Sequence, residues 1–324
     1  MAIDNSQSWT QTIDTLYTST WSDRKGPATE QAFKNTPFIF WLNQAGRIKP
    51  IDGGTRLEIH LEYGSNETVK WIQKGSTVPI TDQELLTMAY EDWKYVSVSV
   101  VRWFADEQKN RGRNQIINIL STKLGTAERA MNEELERVMF ADGTGPLEPN
   151  GLQNIISNTP TTGTLHGLSR ADLTWWRNLQ KTATGAAAIY LLSDMRTLMN
   201  NLAVYTKVNM KDLAIVTDQT SFELFEDVHM DMKVLNDVKL ADAGFMSFSW
   251  KGRPIMWCPS APSLKMYFAN TSYIKLAKDN NYWMEMTEWK TIPNQPFDRV
   301  AQIVSALQMC TSRPVASGVL TVSP

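Results

Sequence analysis

A long amphipathic stripe between residues 107 and 140 constrains the fold of this chain more than any other feature. Its apolar side chains recur at steps of three or four residues, which places them on one face of an α-helix: Ile116, Leu120, Leu124, Ala127, Met131, Leu135 and Val138. Gly143 and Pro146 follow the stripe and predict the end of the helix. If Gly112 and Gly125 do not interrupt it, the helix would be about 50 Å long at roughly 1.5 Å per residue. We therefore expect it to run across a whole subunit.

A strictly alternating segment follows Thr55 and predicts a half-buried strand. Its apolar face carries Leu57, Ile59, Leu61 and Tyr63, and its polar face carries Arg56, Glu58, His60 and Glu62. The run WKYVSVSVVRW at residues 93–103 predicts a second strand, and we expect the two strands to pair. The intervening residues 64–92 show no sustained helical period. An insertion of that length without its own core is commonly functional or disordered.

The segment of residues 56–92 is acidic, with three basic against seven acidic residues, whereas the whole chain has a net charge of only −2. The near-neutral total and a pI near 6.0 argue against a protein that holds nucleic acid through a basic surface. Trp71 and Ile72 lie near the centre of the segment, and two interpretations of them remain open. They form a small core within the insertion, or they are buried against a neighbouring copy. We favour the neighbouring copy, because a long hairpin has little of its own to pack against.

Residues 1–45 place single large apolar side chains between polar spacers, at Trp9, Leu16, Tyr17, Trp21 and Phe33. Asp14, Asp23 and the pair Gly26-Pro27 break any helical stripe. We interpret the whole segment, including the apolar cluster PFIFWL at 37–42, as an extended arm with anchors rather than a helix.

The C-terminal half alternates strands with shorter helices. The run AAAIYLL at 186–192 predicts a buried strand, with Ser193 and Asp194 capping the helix that follows. DLAIVT at 212–217 predicts another strand, Asp218 a second cap, and FMSFSWKGRPIMW at 245–257 a hairpin that turns at Gly252. The remaining runs predict strands, although VAQIVSALQM at 300–309 fits a helix almost as well. The fold class is therefore α+β with long excursions.

The sequence contains no recognised catalytic or cofactor motif. Its three histidines, His60, His166 and His229, are isolated, and no phosphate-binding, nucleophile or zinc-protease motif occurs. The best metal candidate is EDVHMD, with Glu226, Asp227, His229 and Asp231, but a solvated helix end explains it better. Two cysteines, Cys258 and Cys310, cannot form a disulfide framework, and no export signal or membrane-spanning run is present. We therefore predict no catalytic residues, no cofactor and no metal.

Two local motifs and the order of the elements resemble one protein family. GLQNII at 151–156, followed by HGLSRADLTWWRN at 166–178, is similar to a pattern in one group of major capsid proteins of tailed bacteriophages. An arm, a two-stranded acidic excursion, a long helix and an α+β domain follow one another as in their Hong Kong 97-type fold. The resemblance implies an N-arm at 1–45, an E-loop with its base strands at 46–104, and a P-domain with its spine helix at 105–164. It further implies an A-domain at 165–283 and C-terminal P-domain strands at 284–324.

The resemblance also implies a function. The chain would assemble with itself into the hexamers and pentamers of an icosahedral phage head, built in the host cytoplasm, that encloses double-stranded DNA without sequence specificity. A portal protein would be a partner, and a decoration protein is a further candidate. A separate scaffolding protein is expected, if one is needed, because the chain enters its arm directly from Met1. No membrane partner is expected.

In that family the E-loop lies over an adjacent subunit. The predicted subunit-interface residues are therefore the large or charged side chains of the arm, the excursion and the start of the helix: Trp9, Tyr17, Trp21, Glu58, Glu62, Glu67, Trp71, Ile72, Lys74, Trp93, Lys109, Arg111 and Arg113.

Several alternatives stay open. The three basic residues at 109, 111 and 113 could receive the acidic excursion of a neighbouring copy, touch phosphate, or form a solvated helix end. Some relatives crosslink an E-loop lysine to a P-domain asparagine. Lys70, Lys74 and Asn294 lie in those parts, but no motif supports the assignment and we expect noncovalent contacts. The fold also fits an encapsulin-like nanocompartment subunit, and a soluble α+β enzyme with an unrecognised site is the alternative from another class.

Overall fold

Two six-stranded sheets organise the part of the chain that the computed structural model describes, which is residues 37–64, 67–77, 80, 84–104, 113–206, 210–229 and 247–324. A two-stranded ribbon and a long helix accompany the first sheet. Two shorter helices pack on the second sheet. Within the described residues, no helix is long and apolar enough to cross a membrane.

The first sheet is built around one long strand, β15 (Gln295–Thr311). Five strands flank it directly or through a neighbour: β1 (Ile48–Ile51), β4 (Lys94–Arg102), β12 (Ile274–Asp279), β13 (Glu285–Met286) and β14 (Lys290–Ile292). Strand β4 runs antiparallel to β15 from Leu307 opposite Lys94 to Arg299 opposite Arg102. From Ser305 to Thr311 every residue of β15 is buried, so both faces of the strand are covered. A strand covered on both faces lacks clear alternation, which is why its sequence also fitted a helix.

The long stripe forms helix α2 (Arg113–Val138), which packs against β4. Its described stripe residues are buried, as the spacing predicted: Leu124, Ala127, Met131, Leu135 and Val138. The helix continues through Gly125. Its 26 residues correspond to about 39 Å at roughly 1.5 Å each. Residues 105–112 lie outside the described part, so the predicted start at Glu107 is not tested.

The second sheet has the order β7 (Leu179–Thr182), β16 (Gly318–Thr321), β11 (Lys265–Asn270), β8 (Leu213–Thr217), β10 (Arg253–Trp257) and β9 (Ser247–Trp250). Strand β8 and the β9–β10 hairpin confirm the sequence prediction. The hairpin turns at Lys251 and Gly252, whose φ angles are 49° and 73°. Positive φ at both central residues is the geometry of a type I′ turn, which matches the twist of the strands it joins.

The run AAAIYLL is helical, so the predicted buried strand is wrong. It lies at the start of α4 (Ala187–Thr206), and its buried residues continue the helical spacing: Ala187, Leu191, Met195, Leu198 and Leu202. Asp194 therefore lies inside this helix and does not cap it. The Asp194 carboxylate instead accepts hydrogen bonds from the backbone N–H and hydroxyl of Thr184, at 2.7 and 2.6 Å. Asp218 does precede a helix, α5 (Gln219–His229), as predicted.

The apolar cluster at 37–42 is also helical, which corrects the interpretation of 1–45 as an extended arm. Helix α1 (Pro37–Gln44) begins at a proline, a residue favoured in the first turn because its missing N–H has no helical partner there. Phe38 and Leu42 are fully buried in the main core. These residues therefore belong to the folded subunit, and only residues 1–36 remain as a predicted arm, outside the described part of the chain.

The chain crosses between the two sheets near its C-terminus. Strand β12 belongs to the first sheet although residues 165–283 were assigned to the A-domain, and β16 belongs to the second sheet although 284–324 were assigned to the P-domain. Short elements connect the sheets: α3 (Leu152–Ile155), β5 (Thr164–Leu165), β6 (Leu168–Ser169) and 3-10 turns at Thr174–Trp176, Met210–Asp212 and Pro314–Ala316. The strands of each sheet are therefore not contiguous in the sequence, and the domain bounds that the resemblance implies stay a prediction.

Candidate intersubunit surface

The acidic excursion forms a two-stranded antiparallel ribbon of β2 (Leu57–Glu62) and β3 (Leu86–Glu91). Leu57 lies opposite Glu91, and Glu62 lies opposite Leu86. The alternating segment is a strand as predicted, but its predicted pairing with residues 93–103 is wrong, because that strand, β4, pairs with β15. Alternation shows which face of a strand is buried and leaves the partner strand open.

The inner face of the ribbon packs on the subunit. Leu57, Leu61 and Ala89 are buried, and Ile59 packs against the same core. Just beyond β2, the ring of Tyr63 stacks on Trp175 with centroids 5.2 Å apart. This face confirms the apolar row predicted for β2 and holds the ribbon against the subunit surface.

The outer face of the ribbon carries two contrasting rows. Strand β2 exposes Glu58, His60 and Glu62, and β3 exposes Tyr90, Met88 and Leu86 directly opposite them. The exposed fractions of Tyr90, Met88 and Leu86 are 43%, 44% and 76%. Sequence reasoning missed this second row, although LTMAYE alternates and could have revealed it. A row of large apolar side chains facing solvent is typical of a surface that a partner covers.

The ribbon tip, which we define as the described residues 67–77, is also apolar and exposed. Trp71 is 105% exposed and Ile72 is 59% exposed. A side chain with that exposure does not pack into a small core among the described residues of the insertion, and burial against a neighbouring copy stays a prediction. Exposed Lys70 and Lys74 flank the two apolar residues, and Glu67 at the start of the tip is also exposed. The tip therefore presents an aromatic anchor between two positive charges.

A polar group that we call the base cluster fixes the other end of the ribbon: Glu91, Asn150, His166, Gln308 and Thr311. The Glu91 carboxylate accepts hydrogen bonds from Asn150 Nδ2 at 2.8 Å and Gln308 Nε2 at 3.3 Å, and its Oε1 lies 2.9 Å from His166 Nδ1. Burial by itself raises the pKa of Glu91. Its interactions with His166 and Asn150 act in the opposite direction, and the net pKa lies below its ordinary value. The carboxylate is therefore held in its charged form at the junction of the ribbon with β15.

His166 links the base cluster to the second of the two motifs that carry the family resemblance, residues 166–178. Its side chain is fully buried, its backbone φ is 51°, and its carbonyl accepts a hydrogen bond from the Tyr90 N–H at 3.3 Å. Its Nε2 accepts the backbone N–H of Thr311 at 3.0 Å. His166 is thus a hydrogen-bonded core residue.

The two motifs that carry the family resemblance pack on each other. Arg170 is almost fully buried and donates to the carbonyl oxygens of Asn154 and Ile155. Burial lowers the pKa of Arg170 to about 10. A Cβ atom at Gly151 would overlap the backbone of Ala141, so the first position of GLQNII requires glycine. Both motifs therefore form contacts within the subunit, beside the ribbon base.

The remaining predicted interface residues have different positions. Trp93 is only 8% exposed and packs with Leu57, Ala306 and Cys310, so its prediction as an interface anchor is corrected to a core residue of the subunit. Five others lie outside the described residues: Trp9, Tyr17, Trp21, Lys109 and Arg111. Arg113 is the first residue of α2, and its side chain is not described. Their contacts with the ribbon stay a prediction.

The metal candidate at 226–231 gains no support from the described residues. Glu226 and Asp227 are exposed on α5, whereas Asp231 lies outside the described part. In the described ranges, no group of three histidine, cysteine or acidic residues is placed to hold a metal ion. Cys258 and Cys310 are free and buried, and burial raises the pKa of the Cys310 thiol to about 12.

Comparison with known proteins identifies the fold. No protein-family model matches the sequence, and no curated protein matches it either. Among solved structures, the cyanophage A-1(L) capsid is 15% identical with a TM-score of 0.69, and the match covers 88% of this chain and 92% of that chain. The capsid of a native GTA particle is 10% identical with a TM-score of 0.59, covering 88% and 91%. An encapsulin complex from Synechococcus elongatus is 10% identical with a TM-score of 0.53, covering 87% and 86%.

These matches span most of both chains in each pair, so the likeness concerns the whole architecture. The chain has the Hong Kong 97-type capsid fold, which confirms the α+β class and the resemblance inferred from its sequence at the level of the fold.

Proposed function

We propose that this chain is the major capsid protein of a tailed bacteriophage. Its copies assemble into the hexamers and pentamers of an icosahedral head that encloses double-stranded DNA. The observation that carries the proposal is the ribbon, whose outer face and tip carry large apolar side chains that stay exposed in the described part of the subunit. The fold shared with capsid subunits supports the same proposal.

The exposed side chains of the ribbon suit a contact with a neighbouring copy. An aromatic side chain buries roughly 150–250 Å² when fully covered, and full burial of a large apolar side chain contributes roughly 1.5–3 kcal/mol. Trp71 at the tip and Leu86 on the outer face are each more than three-quarters exposed, so most of that stabilisation is available to an interface. Trp and Tyr are also the residues most enriched among interface anchors.

The charges of the ribbon indicate which surface of a neighbouring copy the ribbon would contact. Glu58 and Glu62 are exposed on the outer face, and Glu67 is exposed at the tip. We propose that they face the basic residues Lys109, Arg111 and Arg113 of a neighbouring copy. The arm residues Trp9, Tyr17 and Trp21 and the tip residues Trp71, Ile72 and Lys74 complete the contact.

The partners follow from the same proposal. The protein acts as a structural subunit rather than an enzyme, needs no cofactor, and is located in the virion after assembly in the bacterial cytoplasm. A portal protein and a separate scaffolding protein accompany it, and a decoration protein is a further candidate. A net charge of −2 suits a shell that a packaging motor fills, since DNA held by charge would require a basic surface.

The test is assembly of the purified chain, with and without a co-expressed scaffolding protein, followed by negative-stain microscopy. We expect closed shells or capsomers for the wild type and for Trp71→Phe, which keeps an aromatic anchor. We expect Trp71→Asp to remain a folded, unassembled subunit, because the Trp71 side chain is fully exposed among the described residues. A wild-type chain that stays monomeric at high concentration with its ribbon tip ordered would contradict the proposal.

A second candidate is an encapsulin-like shell that encloses a cargo protein, which the likeness to an encapsulin structure favours. The contents of purified particles distinguish the two. Nuclease-protected DNA supports the phage head, and a stoichiometric cargo protein supports the nanocompartment. A soluble enzyme is the remaining alternative, and a particle of megadalton mass would contradict it.

A further inference from the structure

The base cluster joins three parts of the chain that are distant in sequence. Glu91 ends the returning strand of the ribbon, His166 lies between β5 and β6, and Thr311 ends β15. We infer that His166 is a positioning residue that links the ribbon base to β15 through hydrogen bonds only while its imidazole is neutral. Protonation of Nε2 breaks its hydrogen bond with Thr311 of β15. The inference concerns a single subunit and does not depend on the proposed function.

The hydrogen bonds determine which nitrogen of His166 carries the proton. A backbone N–H can only donate, so Nε2, which lies 3.0 Å from the Thr311 nitrogen, must be the unprotonated acceptor. The ring proton is then on Nδ1 and is donated to Glu91 Oε1 at 2.9 Å. The His166 side chain is completely buried, so solvent does not offer a substitute partner on either side.

Protonation would change only one of these two bonds. A proton added to Nε2 would point at the Thr311 N–H, so two donors would face each other and the hydrogen bond would be lost. The bond from Nδ1 to Glu91 would become a bond between opposite charges and would strengthen. The ring would therefore stay with the ribbon and leave β15.

The groups around His166 are consistent with this outcome. Glu91 on β3 is the carboxylate in direct contact with the ring among the described residues, and Lys94 on β4 acts on that carboxylate from a distance. From β15, the Cys310 thiol is buried and its pKa is raised by burial, so it remains neutral. The ring of Trp176 approaches edge-on at 6.2 Å, and Asn150 and Gln308 carry no charge.

Hydrogen exchange of the full-length, unassembled chain tests the inference at pH 7.5, 6.5 and 5.5, with rates converted to protection factors. In the wild type we expect protection of the Thr311 amide to fall at least tenfold over this range. The Ala306 amide, which donates to the Tyr282 carbonyl from the same strand, serves as the internal control and should keep its protection. Since the pKa of Glu91 lies below its ordinary value, the carboxylate does not titrate in this range.

A matched variant separates titration from structure. Glutamine can place an amide oxygen near the position of Nε2 and cannot titrate there, so His166→Gln should protect Thr311 equally at all three pH values. His166→Asn suits the positive φ and can still donate to Glu91, but it leaves Thr311 without an acceptor. It should show low protection of Thr311 at every pH.

Two results would overturn the inference. One is constant protection of Thr311 in the wild type down to pH 5.5, and the other is an equal fall in His166→Gln. If His166→Gln does not fold, the nitrogen-15 shifts of the wild-type imidazole decide, because a proton found on Nε2 at pH 7.5 would contradict the assignment. None of these measurements requires shells, so a failure of assembly would be a separate result.

Discussion

The Glu91 carboxylate receives hydrogen bonds from three side chains that come from three different segments of the chain. Burial opposes its charge, but these bonds outweigh burial and the pKa of Glu91 is lowered on folding. A group with a lowered pKa in the folded state stabilises the fold above its unfolded pKa. That stability is lost as the pH falls through the folded pKa.

Replacing Glu91 with glutamine should therefore lower the free energy of unfolding by an amount that depends on pH. At pH 7 we expect Glu91→Gln to lower the free energy of unfolding by about 1.5–3 kcal/mol, the range for hydrogen bonds to charged groups. The difference from the wild type should stay constant down to about pH 5 and shrink below roughly pH 4.3, the ordinary glutamate value. Urea unfolding between pH 7 and pH 3 measures it.

The matched control for this experiment is Glu62→Gln on the exposed outer face of the ribbon. It should change the free energy of unfolding by less than about 0.5 kcal/mol at any pH, as exposed substitutions usually do. A difference between Glu91→Gln and the wild type that does not change down to pH 3 would contradict the role of the charged carboxylate.

Single residues also show what sequence reasoning can and cannot reach. The motif residues Gly151 and Arg170 were recognised by their pattern, but their physical role depends on backbone atoms. Gly151 makes room for the Ala141 backbone, and Arg170 donates to two carbonyl groups. Every residue has a carbonyl group, so the sequence does not indicate which ones an arginine will reach. Trp93 was misplaced for a related reason, since an aromatic residue in an excursion looks the same whether it anchors a core or an interface.

At the scale of elements, long periodic patterns and local turn chemistry were predicted correctly. The stripe of α2 spans enough turns to be unambiguous, and the β9–β10 hairpin depends only on two adjacent turn residues. The prediction of a strand for AAAIYLL failed because the helical spacing of its apolar residues becomes visible only beyond Asp194. The helix accommodates this polar residue through its hydrogen bonds with Thr184. The pairing of β2 failed because the choice of partner depends on β15, more than 200 residues away.

The two faces of the ribbon give opposite expectations for adjacent residues of β3. Met88 lies on the outer face and is 44% exposed, whereas Ala89 lies on the inner face and is fully buried. We expect Met88→Asp to change the free energy of unfolding by less than about 0.5 kcal/mol and to abolish assembly. Ala89→Asp should destabilise the subunit by about 3 kcal/mol or more, because it buries an unpaired carboxylate.

Urea unfolding of both variants, together with sedimentation velocity of the folded one, measures these effects. The two substitutions introduce the same charge at neighbouring positions, so each serves as the control for the other. Equal destabilisation by both would show that the ribbon does not have the register described here. Normal assembly of Met88→Asp would show that the outer apolar row is not an interface.

At the scale of the whole molecule, the ribbon carries many of the large apolar side chains that are exposed among the described residues. Its inner face packs against the core, whereas its outer face and tip carry exposed apolar side chains and carboxylates. The charge imbalance of residues 56–92 was visible in the sequence, because charge is counted without knowing the fold. The sequence did not predict the geometry in which each outer carboxyl or imidazole group stands opposite an apolar side chain, since that follows from the β2–β3 register.

This arrangement predicts how assembly responds to salt. Reversing Glu58, Glu62 and Glu67 together to lysine should weaken assembly, because three surface ion pairs at roughly 0.2–1 kcal/mol each amount to about a tenfold change in affinity. The Debye screening length shortens from about 10 Å at 0.1 M salt to about 3 Å at 1 M. We therefore expect a rise of about tenfold in the critical concentration at 0.1 M and a much smaller rise at 1 M, measured by light scattering.

The control variant reverses Glu223, Glu226 and Asp227, three exposed acids on α5. It changes the net charge by the same amount at a site away from the ribbon. An equal loss in both variants would assign the effect to net charge. A loss that salt does not reduce would leave the apolar rows as the source of the interface and remove the electrostatic part.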